Sequence, residues 1–160
     1  MEISKNYKDD VVIIGAGGSG LSAAVAAANR GSKVRVIDKR KTAGGTMNTL
    51  SGLVAAESPT QKRAGIKMTA DDLFLKHMQY SHWTLNPYIV RTWLNRSGET
   101  IRWLEEKGVQ FKMFSMFTDE DAPTSWHWGL RVGADIVKAL LKECERLGVA
   151  FSFETQAKKI

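Results

Sequence analysis

The β-branched run VVIIG at 11–15 passes straight into the glycine-rich turn AGGSG at 16–20, and that turn into the alanine-rich segment LSAAVAAANRG. A short apolar run ending in glycine has the pattern of a buried parallel strand, and the alanines that follow favour a helix. KVRVIDK at 33–39 then returns as a second strand. Strand, tight turn, helix and strand within about 30 residues make a βαβ unit, with a right-handed crossover and parallel strands.

Gly15, Gly17 and Gly20 spell G-x-G-x-x-G, a pattern that says little alone and much more between a strand and a helix. Gly15 permits the sharp turn, Gly17 lets the backbone approach a pyrophosphate, and Gly20 lets the helix lie close on the strands. Two phosphate charges would then face the unpaired N–H groups and positive dipole end of the helix. Ala24 and Ala28 keep the same helix face small. Asp38 closes the second strand near the ~20-residue spacing expected of a carboxylate that meets an adenosine ribose. Each feature alone fits an ordinary strand–helix corner; their combination in this order favours a dinucleotide. An acid at this place repels a 2′-phosphate, so NADP is the least suited, while NAD and FAD are not separated by the fingerprint. Gly44-Gly45-Thr46 comes directly after the second strand, where NAD-binding folds usually proceed to another helix. A double glycine here would bring backbone N–H groups against a second part of an extended cofactor.

Between Lys41 and Met68 regular periodicity fades while apolar residues persist, the pattern of a functional loop with short helical turns. TADDLFLKHMQYS then reads as a helix capped by Thr69 or Asp71. After Asn86-Pro87 a second helix sets Val90, Trp93, Leu94, Ser97, Ile101 and Leu104 on one stripe and stops at Gly108. VQFKMFSMF alternates as a strand does, and TDEDAPTSWHWG reads as a loop carrying Pro123. LRVGADIVKALLKECERLG is the clearest helix, with Ala134, Val137, Leu140, Leu141, Cys144 and Leu147 on its apolar face, and VAFSFET follows as a strand. The expected architecture is α/β, a parallel-sheet nucleus with a helical insertion between its second and third strands. An open doubly wound sheet normally continues beyond three strands, which makes the fold look incomplete.

VVIIGAGGSGLSAAVAAANRGSKVRVIDK, with Ala24 and Gly31 at the positions of the flavoprotein fingerprint, is followed in order by GGTMNTLSGLVAAES, LNPYIVRTWLNRSGETIRWLEEKGVQF and GADIVKALLKECERLGVAFSFETQAKKI. Together these resemble the Rossmann-like FAD-binding domain of the fumarate reductase and succinate dehydrogenase flavoprotein family, nearest its soluble flavocytochrome-like and ketosteroid-dehydrogenase-like branch. The resemblance implies that residues 1–160 are the amino-terminal portion of an FAD-binding domain, with the substrate or capping domain outside the chain. It places Gly15, Gly17, Gly18, Ser19 and Gly20 on the FAD pyrophosphate and Asp38 and Lys39 at the adenosine ribose. Gly44, Gly45, Thr46, Ser51 and Gly52 run toward the flavin ring, and the Ala157 backbone meets adenine. Family members that attach FAD covalently use a histidine after the second strand; residues 40–60 have none, which implies non-covalent FAD. The implied activity is flavin-dependent oxidation or reduction of an activated carbon–carbon bond in a small molecule, with catalytic residues beyond this chain. A non-catalytic dinucleotide module completed by another chain is the alternative, and oligomerisation is left open.

A chain of 160 residues, 43% hydrophobic and 25% charged, suits one ordinary globular domain. No apolar run reaches the ~18 residues of a membrane span, and the first residues lack a signal-peptide core, so the expected address is the cytoplasm. Lys and Arg exceed Asp and Glu to give a net charge of +6. The basic residues are scattered in KRK at 39–41, QKR at 61–63 and KK at 158–159, which favours a solvated face over nucleic acid. The single Cys144 excludes an intrachain disulfide and a C-x-x-C pair, and its place on an apolar face reads as a small hydrophobe. No metal site is expected: His77 and His82 miss helical i, i+4 spacing, and Asp119, Glu120 and Asp121 read as a solvated turn. SWHWG at 125–129 is the most unusual loop. It is read first as an aromatic cluster anchoring the loop, and second as a wall of a flavin or substrate mouth with His127 titrating there.

Overall fold

A computed structural model describes residues 6–115 and 124–159. The acidic run at 119–121 and Pro123 lie outside the described residues, as does the end of the alternating stretch after 115. The chain divides into two compact units, one made of 1–49 with 134–160 and the other of 50–133.

In the first unit β1 (Val11–Ile14), α1 (Gly18–Ala28) and β2 (Val34–Ile37) form the expected βαβ unit, and β6 (Ala150–Ser152) adds a third parallel strand in the order β1-β2-β6. Val11 to Ile14 pair in register with Val34 to Ile37, and Arg35 to Ile37 with Ala150 to Ser152. Leu21, Ala24 and Val25 of α1 are buried with Val34 and Val36 of β2 and with Ile136, Leu140 and Cys144 of α5 (Val132–Arg146). The buried stripe of α5 is thus turned from the one read in the sequence: Ile136 joins it, while Ala134, Leu141 and Leu147 are only partly covered.

The second unit holds the insertion. Its two long helices are α3 (Ala70–Tyr80), started by a Thr69–Asp72 capping box, and α4 (Pro87–Glu106), capped by Asn86 with Pro87 at its first turn. They pack around Ala56, Met68, Leu73, Met78, Val90 and Leu94. The insertion is not only helical. β3 (Gly52–Val54), β5 (Trp126–Trp128) and β4 (Lys112–Phe114) form an antiparallel sheet in that order. This corrects the loop assignment of SWHWG: three residues alternating aromatic, imidazole and aromatic suit a pleated surface, and the sheet places His127 wholly inside while Trp126 and Trp128 remain partly exposed. Within the 41–68 stretch, a 3₁₀ turn (Gly45–Thr49) and the short α2 (Pro59–Arg63) supply the expected helical turns. Among the described residues no helix is long and apolar enough to cross a membrane.

Candidate functional site

The glycine turn closes β1 onto α1. Gly15 takes φ +103, and its N–H donates to the Ile37 carbonyl at 2.8 Å. Gly20 lies against the Gly15 carbonyl so closely that a β-carbon there would overlap it. A β-carbon on Gly17 would meet only the Gly44 carbonyl oxygen, at 3.9 Å. The three glycines therefore divide their duties: Gly15 and Gly20 serve the turn itself, and Gly17 leaves open space. Gly17 is also the N-cap of α1, with no side-chain cap and no acid in the first helical turn. Several N–H groups at a positive helix end thus lack a side-chain counter-charge, which fits a phosphate.

Asp38 locks the loops around that helix end. One carboxylate oxygen accepts the Ala16 N–H at 2.7 Å and the other the Arg40 N–H at 2.8 Å. Those two backbone donors, chiefly Ala16, hold the Asp38 carboxyl below its usual range. The double-glycine segment joins the same arrangement, with the Gly44 N–H on the Ala16 carbonyl at 2.8 Å and Gly44 bridged to Gly17. Asp38 is tied to β6 as well: its N–H donates to Ser152 at 3.0 Å, and its carbonyl accepts the Thr155 N–H at 2.9 Å. A cleft of about 390 Å³ opens beside Ile14, Gly15, Asp38, Lys39, Arg40, Thr155 and Ala157. The structure therefore gathers Gly15, Gly17, Gly18, Ser19, Gly20, Asp38, Lys39, Gly44, Gly45, Thr46 and Ala157 within the first unit. Ser51 and Gly52 belong to the second, at the start of β3.

In the second unit a buried polar cluster joins His127, which the sequence singled out, to Ser58 and Gln61, which it did not. The Ser58 hydroxyl lies 2.6 Å from His127 Nε2, and His127 Nδ1 lies 3.0 Å from the Ser125 carbonyl. A carbonyl only accepts, so Nδ1 carries the proton and Ser58 donates to Nε2. Ser58 and Gln61 complete a capping box, and the Gln61 amide donates to the Ala55 and Thr124 carbonyls. Burial pushes the His127 pKa down, outweighing its hydrogen bonds to backbone carbonyls and the nearby Glu105. Burial works to raise Glu105, but hydrogen bonds from Arg63 and Thr60 overcome it and leave the carboxyl lowered. The S-P-T-Q pattern was the available signal for this corner: a hydroxyl cap, proline at the first turn and glutamine three residues on.

The sequence pattern of the FAD binding domain family matches residues 10–160. The chain belongs to that family. It is 30% identical to the vinyl phenol reductase of Lactiplantibacillus plantarum over 158 residues, which are 98% of this chain and 32% of that protein. It is 27% identical to a fumarate reductase (cytochrome) of Shewanella frigidimarina, over 92% of this chain and 26% of the relative. The chain thus spans about a third or less of the curated relatives it matches. In fold it is similar to the open conformation of a flavocytochrome c3 fumarate reductase, with a TM-score of 0.81, 21% identity and coverage of 91% of this chain and 26% of that one. It is also similar to the 3-ketosteroid-Δ4-(5α)-dehydrogenase of Rhodococcus jostii RHA1, with a TM-score of 0.77, 21% identity and coverage of 95% and 39%. The expected mixed fold with a parallel sheet is the observed one, and the family is that of the flavoprotein resemblance.

Proposed function

We propose that the chain holds FAD without a covalent bond and forms the cofactor-binding portion of an oxidoreductase acting on an activated carbon–carbon bond. The observation that carries this is the uncapped start of α1 opening at Gly17, with Asp38 fastening the surrounding turns. The N–H groups around Gly17, Gly18, Ser19 and Gly20 would take the pyrophosphate. The turn at Asp38 and Lys39 would take the ribose, and the Ala157 backbone would border adenine. Gly44, Gly45 and Thr46 continue along the cofactor, and Ser51 and Gly52 would serve the portion nearer the flavin. When bound, FAD supplies hydride exchange with the substrate, and this chain's residues bind and orient it. The names of the relatives, reductases of vinyl phenol and fumarate and a dehydrogenase of a ketosteroid, support an alkene conjugated to an activating group as the substrate class.

The test is titration of the purified chain with FAD, followed by flavin fluorescence, and denaturation of the loaded protein. Saturable binding with complete release of intact FAD is expected. A chain that takes up no FAD, or one that keeps flavin attached after denaturation, would overturn the respective part.

A second reading, a dinucleotide module completed by another polypeptide, draws on β1. It is an outer strand of its sheet, which leaves one edge for strand pairing, and its Val12 and Ile14, on one face, are 55% and 54% exposed. A monomer at high concentration by sedimentation, unaffected by V12K, would count against it.

A further inference from the structure

We propose that Arg40 is a binding residue for the cofactor pyrophosphate, supplying the cation that the glycine turn lacks. This rests on the FAD reading above and adds a residue to it. The backbone of Arg40 is pinned on both sides: its N–H donates to Asp38 at 2.8 Å, and its carbonyl accepts the Glu154 N–H at 3.0 Å. From that fixed point the side chain reaches back to the double glycine. Its Nη1 lies 3.1 Å from where a β-carbon on Gly45 would stand. The adjoining Gly44 is bridged to Gly17, and its N–H is bonded to Ala16. The guanidinium therefore rests on a segment that touches the glycine turn, and any side chain at Gly45 would crowd it.

Charge supports the same assignment. A pyrophosphate brings two negative charges to a helix end worth roughly half a positive one. Among the described residues no carboxylate oxygen forms an ion pair with Arg40; Lys41, beside it, faces Glu154 at 3.9 Å. Both oxygens of Asp38, two residues before Arg40, already accept the Ala16 and Arg40 backbone N–H groups. The planar fork of Arg40 is thus available for two phosphate oxygens at once, a geometry that lysine does not reproduce. The basic run at 39–41 is accordingly divided, with Lys41 toward Glu154 and Arg40 toward the glycines.

The experiment compares the chain with R40A, R40Q and R40K by titration with FAD, ADP and adenosine at two salt concentrations, with thermal melts as a check on folding. R40A and R40Q should weaken FAD and ADP alike by about tenfold, the size of one charge-assisted hydrogen bond. They should leave adenosine unchanged and flatten the salt dependence, and R40K should recover part of the loss. Wild-type affinity and salt dependence in R40A and R40Q would overturn the proposal while leaving the FAD reading intact. Equal loss of adenosine would also overturn it, since Arg40 would then serve the turn rather than the phosphates. A wild-type chain that binds neither FAD nor ADP would remove the FAD reading and the proposal with it.

Discussion

The Asp38 carboxylate accepts the Ala16 N–H at 2.7 Å, joining the end of β2 to the middle of the glycine turn 22 residues earlier. The acid thereby organises the turn through its backbone partners. D38N keeps the size of the side chain but turns one acceptor into a donor that opposes a backbone N–H. We expect it to cost about 1 kcal/mol of stability in urea denaturation and to weaken adenosine as well as FAD. D38N with unchanged adenosine affinity would mean that the turn holds its shape without the carboxylate. The pH dependence has a definite sign. Because the folded pKa is depressed, the stabilisation is present above the ordinary aspartate value near ~4 and is lost as pH falls through the lower folded value.

Gly17 and Gly20 separate ligand binding from folding. An alanine at Gly20 would drive its β-carbon into the Gly15 carbonyl, a backbone collision that no rotamer relieves, so G20A should cost on the order of 3 kcal/mol. Gly17 has φ −81, which any residue adopts, and open space in front of it. G17A should therefore melt within a few degrees of the wild-type chain yet lose FAD affinity by about tenfold or more. Thermal melts beside flavin titrations check both, and a G17A chain with full FAD affinity would show that the pyrophosphate lies elsewhere.

The glycine turn was legible because its signals are local. β1, the glycines and α1 follow one another without interruption, and Thr69, Gly108 and Gly148 end or begin helices where their chemistry says they should. What stayed hidden depends on partners far away in the chain. β3 and β5 have three residues each, too few for a period to show, and become strands only when Leu53 pairs with His127. Ser58 and His127 are 69 residues apart, and neither signals the other. Arg40 stood in a basic run that looked like solvated surface; only the fold carries its guanidinium onto Gly45.

The Ser58–His127 pair makes the second unit sensitive to acid. His127 is buried and neutral, and its folded pKa lies below the ordinary histidine value chiefly through desolvation. The unfolded chain therefore takes up the proton first as pH falls from about 6.5. Stability present above that value is lost as pH drops toward the folded pKa. Urea midpoints should be level from pH 8 to 7 and decline below, and imidazole nitrogen spectra at pH 7 should show the neutral form protonated at Nδ1. S58A removes the helix cap and strands the imidazole nitrogen, at an expected cost of about 2 kcal/mol. A titration midpoint above 6.5 would contradict this assignment of the pair.

Cys144 tests how tightly α5 is seated against α1. Its side chain has no exposed surface, and its sulfur lies 3.9 Å from the Leu21 carbonyl of α1. Burial, with a smaller contribution from Glu143, pushes the thiol up to about 11. Reactivity belongs to the thiolate, so at pH 7–8 the folded chain presents neither the reactive form nor a path to it. Labelling by a thiol reagent should be negligible in native buffer and complete, at one equivalent, in denaturant. Because exchange then requires opening, the labelling rate against urea reports the opening of α5 from α1. FAD bound at the start of α1 should slow that rate if it stabilises the same unit. Rapid labelling of the native chain would show that this helix pair opens on its own.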